Sequence, residues 1–195
     1  MELHDATCPA DEALERLRRG NARFLEARGN DGCISAELRE KLAGEGQQPY
    51  AAVLSCADSR VVPEHAFMVG LGELFSVRVA GNVAGDTQVA SIVYAVKHLG
   101  VRLVVVMGHT GCGAVGAALA GVEEPCIDAL VAPIDAAIGE RRHDERAATV
   151  ANVQAAVARL ERDDVLAYAQ CEADVRIVGA LYHTATGEVE WLERT

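Results

Sequence analysis

The chain has 195 residues, half of them hydrophobic, and a formal net charge of −11. That length suits one domain with a real core and no need of disulfide staples, and no apolar run approaches the roughly 18–20 residues of a membrane span. An acidic surface repels phosphate backbones, which argues against nucleic acid as a partner but leaves small neutral substrates open. The start, Met1-Glu2-Leu3-His4-Asp5, has neither a basic nor an apolar signal region, so no signal peptide is expected and the cytoplasm is favoured.

Taken in order, Asp11 to about Arg28 reads as a helix, with Leu14, Leu17, Phe24 and Leu25 near helical spacing and Gly29-Asn30 as its stop. Its apolar stripe is thin, which suits either packing on a partner subunit or a satellite position on its own domain. A short helix from Ala36 to Leu42 and a loop, Gly44 to Pro49, follow. Ala51-Ala52-Val53-Leu54 is a buried-strand run that delivers Ser55-Cys56-Ala57-Asp58-Ser59-Arg60. Pro63 can open a short helix to Met68, and Leu74 to Val79 is a second strand. Asp86 or Thr87 caps a helix to Leu99 with Val89, Ile92, Val93 and Val96 as its buried face.

Arg102 to Met107 is a third strand, and it delivers Gly108-His109-Thr110-Gly111-Cys112-Gly113. Helices are expected over 113–119, 127–138 and 147–162, with one further turn from Asp163 to Ala169. Val175 to Tyr182 is a fourth strand. Thr186-Gly187 turns the chain into a short antiparallel edge strand, Val189 to Leu192. Strands alternating with helices give an α/β fold: a mostly parallel central sheet, about four parallel strands plus the C-terminal antiparallel edge, flanked by helices. No linker divides the chain, so residues 1–195 form a single domain with residues 1–35 as an N-terminal helical arm.

Cysteines stand at 8, 33, 56, 112, 126 and 171. In a cytoplasmic chain of this size, metal binding or catalysis is a better reading of them than disulfides. Only Cys56 and Cys112 occupy informative places, since ligands of open α/β sheets bind outside the carboxyl ends of the strands. Zinc favours thiolate and imidazole, and a three-ligand site leaves one position for water. Cys56, His109 and Cys112 supply such a set, with His109 and Cys112 three apart just after a strand. Asp58 and Arg60 come next. A carboxylate beside a guanidinium stays ionised. Asp58 could orient a metal-bound water, or bind the metal itself and block it.

Cys56-x-Asp58-x-Arg60 with His109-x-x-Cys112, set in SCADSRVVPE and GHTGCGAV, resembles the β-class carbonic anhydrases. The likeness extends to Gly72-Glu73-Leu74-Phe75, to Arg78-Val79-Ala80-Gly81-Asn82, and to the C-terminal strands with Glu190-Trp191-Leu192. Leu14-x-x-Leu17-x-x-Gly20-Asn21-x-x-Phe24 resembles the family's dimer-embracing helix, which implies an N-terminal helix packing on a partner subunit. The resemblance implies one zinc per subunit on Cys56, His109 and Cys112, with the Asp58–Arg60 dyad beside it. It implies reversible hydration of carbon dioxide to bicarbonate and a proton through zinc-bound hydroxide, in a homodimer or homotetramer. Gln47, at the family's offset before the zinc cysteine, would donate to a substrate oxygen. Phe75, Ala80, Tyr94 and Gly113 would contact substrate in a small apolar pocket that the second subunit helps to line. His65, His98, His143 and His183 are conceivable proton shuttles.

There are departures from the pattern. Val79 stands where Asn is usual, and His183 where an acidic residue is common. Val53 stands where the bicarbonate-inhibited subgroup carries tryptophan, which argues against an allosteric site of that kind. Carbonyl sulfide and carbon disulfide hydrolases share the same zinc ligands and are the alternative on this fold. Gly111-x-Gly113-x-x-Gly116 also fits a dinucleotide fingerprint, but that needs an acidic residue ending a strand about 20 residues on, where helix is expected.

Overall fold

A computed structural model describes residues 3, 5, 7–26 and 33–193. Five strands are present among them, β1 (Ala51–Ser55), β2 (Leu74–Arg78), β3 (Leu103–His109), β4 (Arg176–Tyr182) and β5 (Val189–Leu192). They form one sheet in the order β2-β1-β3-β4-β5. The first four strands of that order run parallel, and β5 pairs antiparallel with β4. Every residue of β1 and β3 is buried. Their unbroken apolar runs follow from this, because a parallel strand in mid-sheet is covered on both faces.

Among the described residues there are eight α-helices: α1 (Ala10–Glu26), α2 (Ala36–Glu45), α3 (Pro63–Ala66), α4 (Asp86–His98), α5 (Gly113–Leu119), α6 (Asp128–Ile138), α7 (Glu145–Glu161) and α8 (Asp164–Glu172). On one face, Val53, Val105 and Met107 pack with Leu17 of α1 and with Phe67. On the other, Leu54, Val104 and Val106 pack with Ile92 and Val96 of α4 and with Val153 and Leu160 of α7. A third cluster closes the carboxyl end of the sheet, where Cys56 and Cys112 meet Val115 of α5 and Ile134 and Ile138 of α6. No helix among the described residues is long and apolar enough to cross a membrane.

The buried stripe of α1 packs on its own chain. Asn21 Nδ2 donates to the carbonyls of Ala66 (3.0 Å) and Gly187 (2.8 Å), and its Oδ1 accepts the Val189 N–H at 3.0 Å. Gly20 lies so close that a Cβ there would sit 1.9 Å from the Phe67 carbonyl oxygen. Small and polar residues do the docking, so a thin apolar stripe suffices. The expected end of this helix, 27–30, lies outside the described residues.

Two expectations are corrected. The first concerns β3, which runs on through Gly108 and His109, paired with Leu181 and Tyr182 of β4. Gly108 extends the strand because Val153 packs against it, and a Cβ there would lie 2.6 Å from Val153 Cγ2. The second is the turn after Asp163, which is a full helix, α8, with Asp163 Oδ1 accepting the N–H groups of Val165 and Leu166. Between β3 and β4 the chain is helical in α5 to α8 with no intervening strand, so the βαβ unit a dinucleotide fingerprint requires is not formed there.

Candidate metal centre

Cys56 follows the last residue of β1, His109 is the last residue of β3, and Cys112 immediately precedes α5. Strand pairing fixes the first two beside each other, and two residues of turn, Thr110 and Gly111, bring the third back. Gly111, at φ 68°, takes the left-handed conformation that this turn requires. The donor atoms of Cys56, His109 and Cys112 all lie within 4.8 Å of one another, and all three residues are buried. The two sulfurs are 4.0 Å apart.

His109 is oriented by its other nitrogen. Nδ1 lies 3.0 Å from the Thr110 carbonyl oxygen, which can only accept, so Nδ1 carries the proton. Nε2 is then a lone pair. It is buried with no hydrogen-bond partner, facing the two sulfurs. Such a nitrogen loses its hydration on folding and gains nothing in return unless a cation takes it. Backbone N–H groups of Asp58 (3.4 Å) and Gly81 (3.3 Å) point at Cys56 Sγ. The Cys112 S–H lowers the Cys56 thiol most, burial opposes it, and those two N–H groups lower it further. Cys112 is raised by the same hydrogen bond and then by burial. Two thiols and an imidazole nitrogen in this arrangement fit zinc.

Asp58 and Arg60 meet as the sequence pattern predicts. Arg60 Nε and Nη2 donate to Oδ1 and Oδ2 of Asp58 at 3.0 and 2.7 Å, and the Arg60 N–H donates to Oδ1 at 2.9 Å. These hydrogen bonds hold the Asp58 carboxyl well below the usual carboxylate range. Asp58 Oδ2 is 3.9 Å from His109 Nε2, which puts the carboxylate at the edge of the centre. The Asp58 side chain is 17 % exposed and that of Arg60 56 %. Arg60 Nη2 also donates to the Gly111 carbonyl (3.1 Å), tying the dyad to the loop between two candidate ligands.

The substrate residues expected from the sequence divide into two groups. Ala80 lies in a 3-10 turn, Ala80–Asn82, beside Gly81, and Gly113 opens α5 next to Cys112. Gln47, Phe75 and Tyr94 are not brought to the centre within one chain. Gln47 is exposed, upstream of the amino end of β1, and the five steps from Ala51 to Cys56 alone span about 17 Å of strand rise. Phe75 pairs with Ala52, about 13 Å of rise before Cys56. Its ring meets Tyr94 at 6.2 Å, and Tyr94 is 48 % exposed on α4.

Sequence reasoning missed the groups that hold the loops. Arg78 donates to the carbonyls of Cys56 (3.3 Å), Asp58 (2.9 Å) and Val61 (3.0 Å). Glu145 accepts the Gly111 N–H at 3.0 Å, and Asn152 donates to the Gly81 carbonyl at 2.8 Å. The signal for Asn152 was present: it is an amide inside a helix otherwise rich in Ala, Val and Leu.

The comparisons with known proteins agree with this geometry. The carbonic anhydrase family profile matches residues 51–189. Carbonic anhydrase 2 of Mycobacterium tuberculosis is 46 % identical over 112 residues, covering 57 % of this chain and 54 % of that protein. The chain thus spans about half the length of that relative. A carbonic anhydrase of Mycolicibacterium smegmatis is 37 % identical over 190 residues, covering 91 % of both chains. The β-carbonic anhydrase CafA of Aspergillus fumigatus superimposes with a TM-score of 0.74 at 27 % identity, covering 94 % of this chain and 90 % of that one. A tetrameric β-carbonic anhydrase of Sordaria macrospora gives the same TM-score, 0.74, at 22 % identity, covering 93 % and 95 %. With the fold, the family profile and the relatives in agreement, this chain belongs to the β-carbonic anhydrase family.

Proposed function

We propose that the chain catalyses the reversible hydration of carbon dioxide to bicarbonate and a proton, with one zinc ion per chain held by Cys56, His109 and Cys112. The observation that carries this reading is the convergence of two sulfurs and one unpartnered imidazole nitrogen within 4.8 Å of one another. Bound there, zinc supplies the Lewis acidity that makes water a nucleophile near neutral pH. The chain supplies the rest. Asp58, ionised and able only to accept, takes a hydrogen bond from the reacting water at Oδ2 and aims its lone pair at carbon dioxide. Arg60 keeps it there. An Asp58 that turned to bind the metal would forfeit hydrogen bonds to Arg60 at both oxygens, so the geometry favours leaving the fourth position to water.

We also infer a homo-oligomer. Gln47, Phe75 and Tyr94 stand away from their own chain's centre, and a second copy is the means by which such residues would line a substrate pocket. Tyr94 is exposed and free to do so, and the Sordaria macrospora protein of similar fold is tetrameric.

Stopped-flow hydration of carbon dioxide, combined with metal analysis, tests the reading. Zinc at one per chain and a hydration rate well above buffer are expected, and Asp58→Ala should keep the zinc and lose the rate. Absence of zinc, or full activity in Asp58→Ala, would overturn it.

A further inference from the structure

One face of α7 is turned to the metal centre. Glu145 accepts the N–H of Gly111, Thr149 and Val153 press on Gly108, and Asn152 reaches the carbonyl of Gly81. These positions, 145, 149, 152 and 153, are spaced as one helical stripe. Asn152 is the unusual member. It is 3 % exposed, among the buried Ala148, Ala151, Val153 and Ala156 of the same helix. A buried amide costs free energy that an apolar side chain of the same size does not, unless its hydrogen bond does something packing cannot.

Its hydrogen bond ends one residue from a candidate ligand contact. Asn152 Nδ2 donates to Gly81 O at 2.8 Å, and Gly81 N–H donates to Cys56 Sγ at 3.3 Å. Gly81 itself is held at φ 68°, ψ 14°. On its other side a Cβ would meet Ile134 Cδ1 at 2.5 Å, so the residue is fixed between α6 and α7. Released from Asn152, the two peptide groups flanking Gly81 could turn, and the N–H would swing off the sulfur.

We propose that Asn152 is a positioning residue for the metal centre: by fixing Gly81 it aims the N–H that orients and tunes the Cys56 sulfur. Outer hydrogen bonds of this kind hold first ligands in direction and set how strongly they donate. The inference rests on the reading of Cys56, His109 and Cys112 as zinc ligands.

The test uses the zinc-loaded protein and two variants, Asn152→Leu, which keeps the number of side-chain heavy atoms and removes the donor, and Asn152→Ala, which fits without crowding. Zinc release to an excess of chelator should be about 10- to 100-fold faster in both, the range found when outer-shell partners are removed. In the cobalt-substituted proteins the sulfur-to-metal charge-transfer band should move to lower energy, because the sulfur has lost a donor. Leu160→Ala, two turns further along α7 in the same core, serves as the structural control. It should lower the melting temperature and leave release rate and band unchanged. Folded Asn152 variants with wild-type release and an unmoved band would overturn the inference. Failure of both to fold where Leu160→Ala folds would assign Asn152 a structural role and overturn it too. A wild-type protein that binds no zinc would instead sink the reading of the site itself.

Discussion

Gly81→Ala is the substitution that most directly probes how the centre is held. The added methyl would stand 2.5 Å from Ile134 Cδ1 and 3.0 Å from Ala114 Cβ, both in the packed layer behind the turn. Placing a residue with a Cβ at φ 68° costs about 1–2 kcal/mol on its own. Crowding a filled core adds about 1–3 kcal/mol. For a chain of this size each kcal/mol moves the melting temperature by about 2–4 °C, so a fall on the order of 10 °C is expected. The two contributions separate experimentally. Ile134→Val shortens the side chain that is hit, so the pair Gly81→Ala with Ile134→Val should recover part of the crowding and none of the backbone strain. Thermal unfolding by circular dichroism measures all three proteins, and metal analysis follows zinc retention. A Gly81→Ala protein that melts within a degree of wild type and keeps its zinc would refute the argument that Gly81 is pinned between α6 and α7.

Three further outcomes follow from the geometry. Thiol ligands must be deprotonated to hold a metal, so zinc uptake should release protons and its affinity should rise with pH. Calorimetry in buffers of different ionisation enthalpy measures the release, and uptake with no proton release would contradict the thiol ligation. Two thiolates offset the charge of zinc and leave the reacting water less acidic than three neutral histidines would. Hydration should therefore rise with pH into the alkaline range, and a flat profile from about pH 6 to 9 would count against this. Gly20→Ala drives a methyl into the Phe67 carbonyl, a backbone atom that cannot rotate away. It should lower stability by about 1–3 kcal/mol and expose α1 to limited proteolysis; an unchanged cleavage pattern would show that α1 is not docked as described.

Much of the sheet was legible in the sequence because burial on both faces leaves a plain mark. Ala51 to Leu54 and Leu103 to Met107 can only be central strands or buried helix, and their length decides. The convergence of Cys56, His109 and Cys112 was legible too, because both segments follow such strands. What was not legible depends on contacts distant in sequence. His109 belongs to β3 only because Tyr182 of β4 pairs with it, and Gly108, which reads as a strand breaker, is a strand residue because Val153 presses on it. The stripe of α1 left open what it packs against, since Gly20 and Asn21 do not register as hydrophobic. Gln47, Phe75 and Tyr94 were assigned through a resemblance, and offset along a chain does not say which end of a strand, or which copy, a residue serves.

The amide of Asn21 joins a helix near the amino end of the chain to Gly187 and Val189, more than 160 positions later. The same helix also meets Ala66 and Phe67, much nearer in sequence. Contacts close and distant along the chain thus converge on one short segment, so the seat of α1 is complete only once β5 has joined the sheet, and loss of β5 should loosen α1.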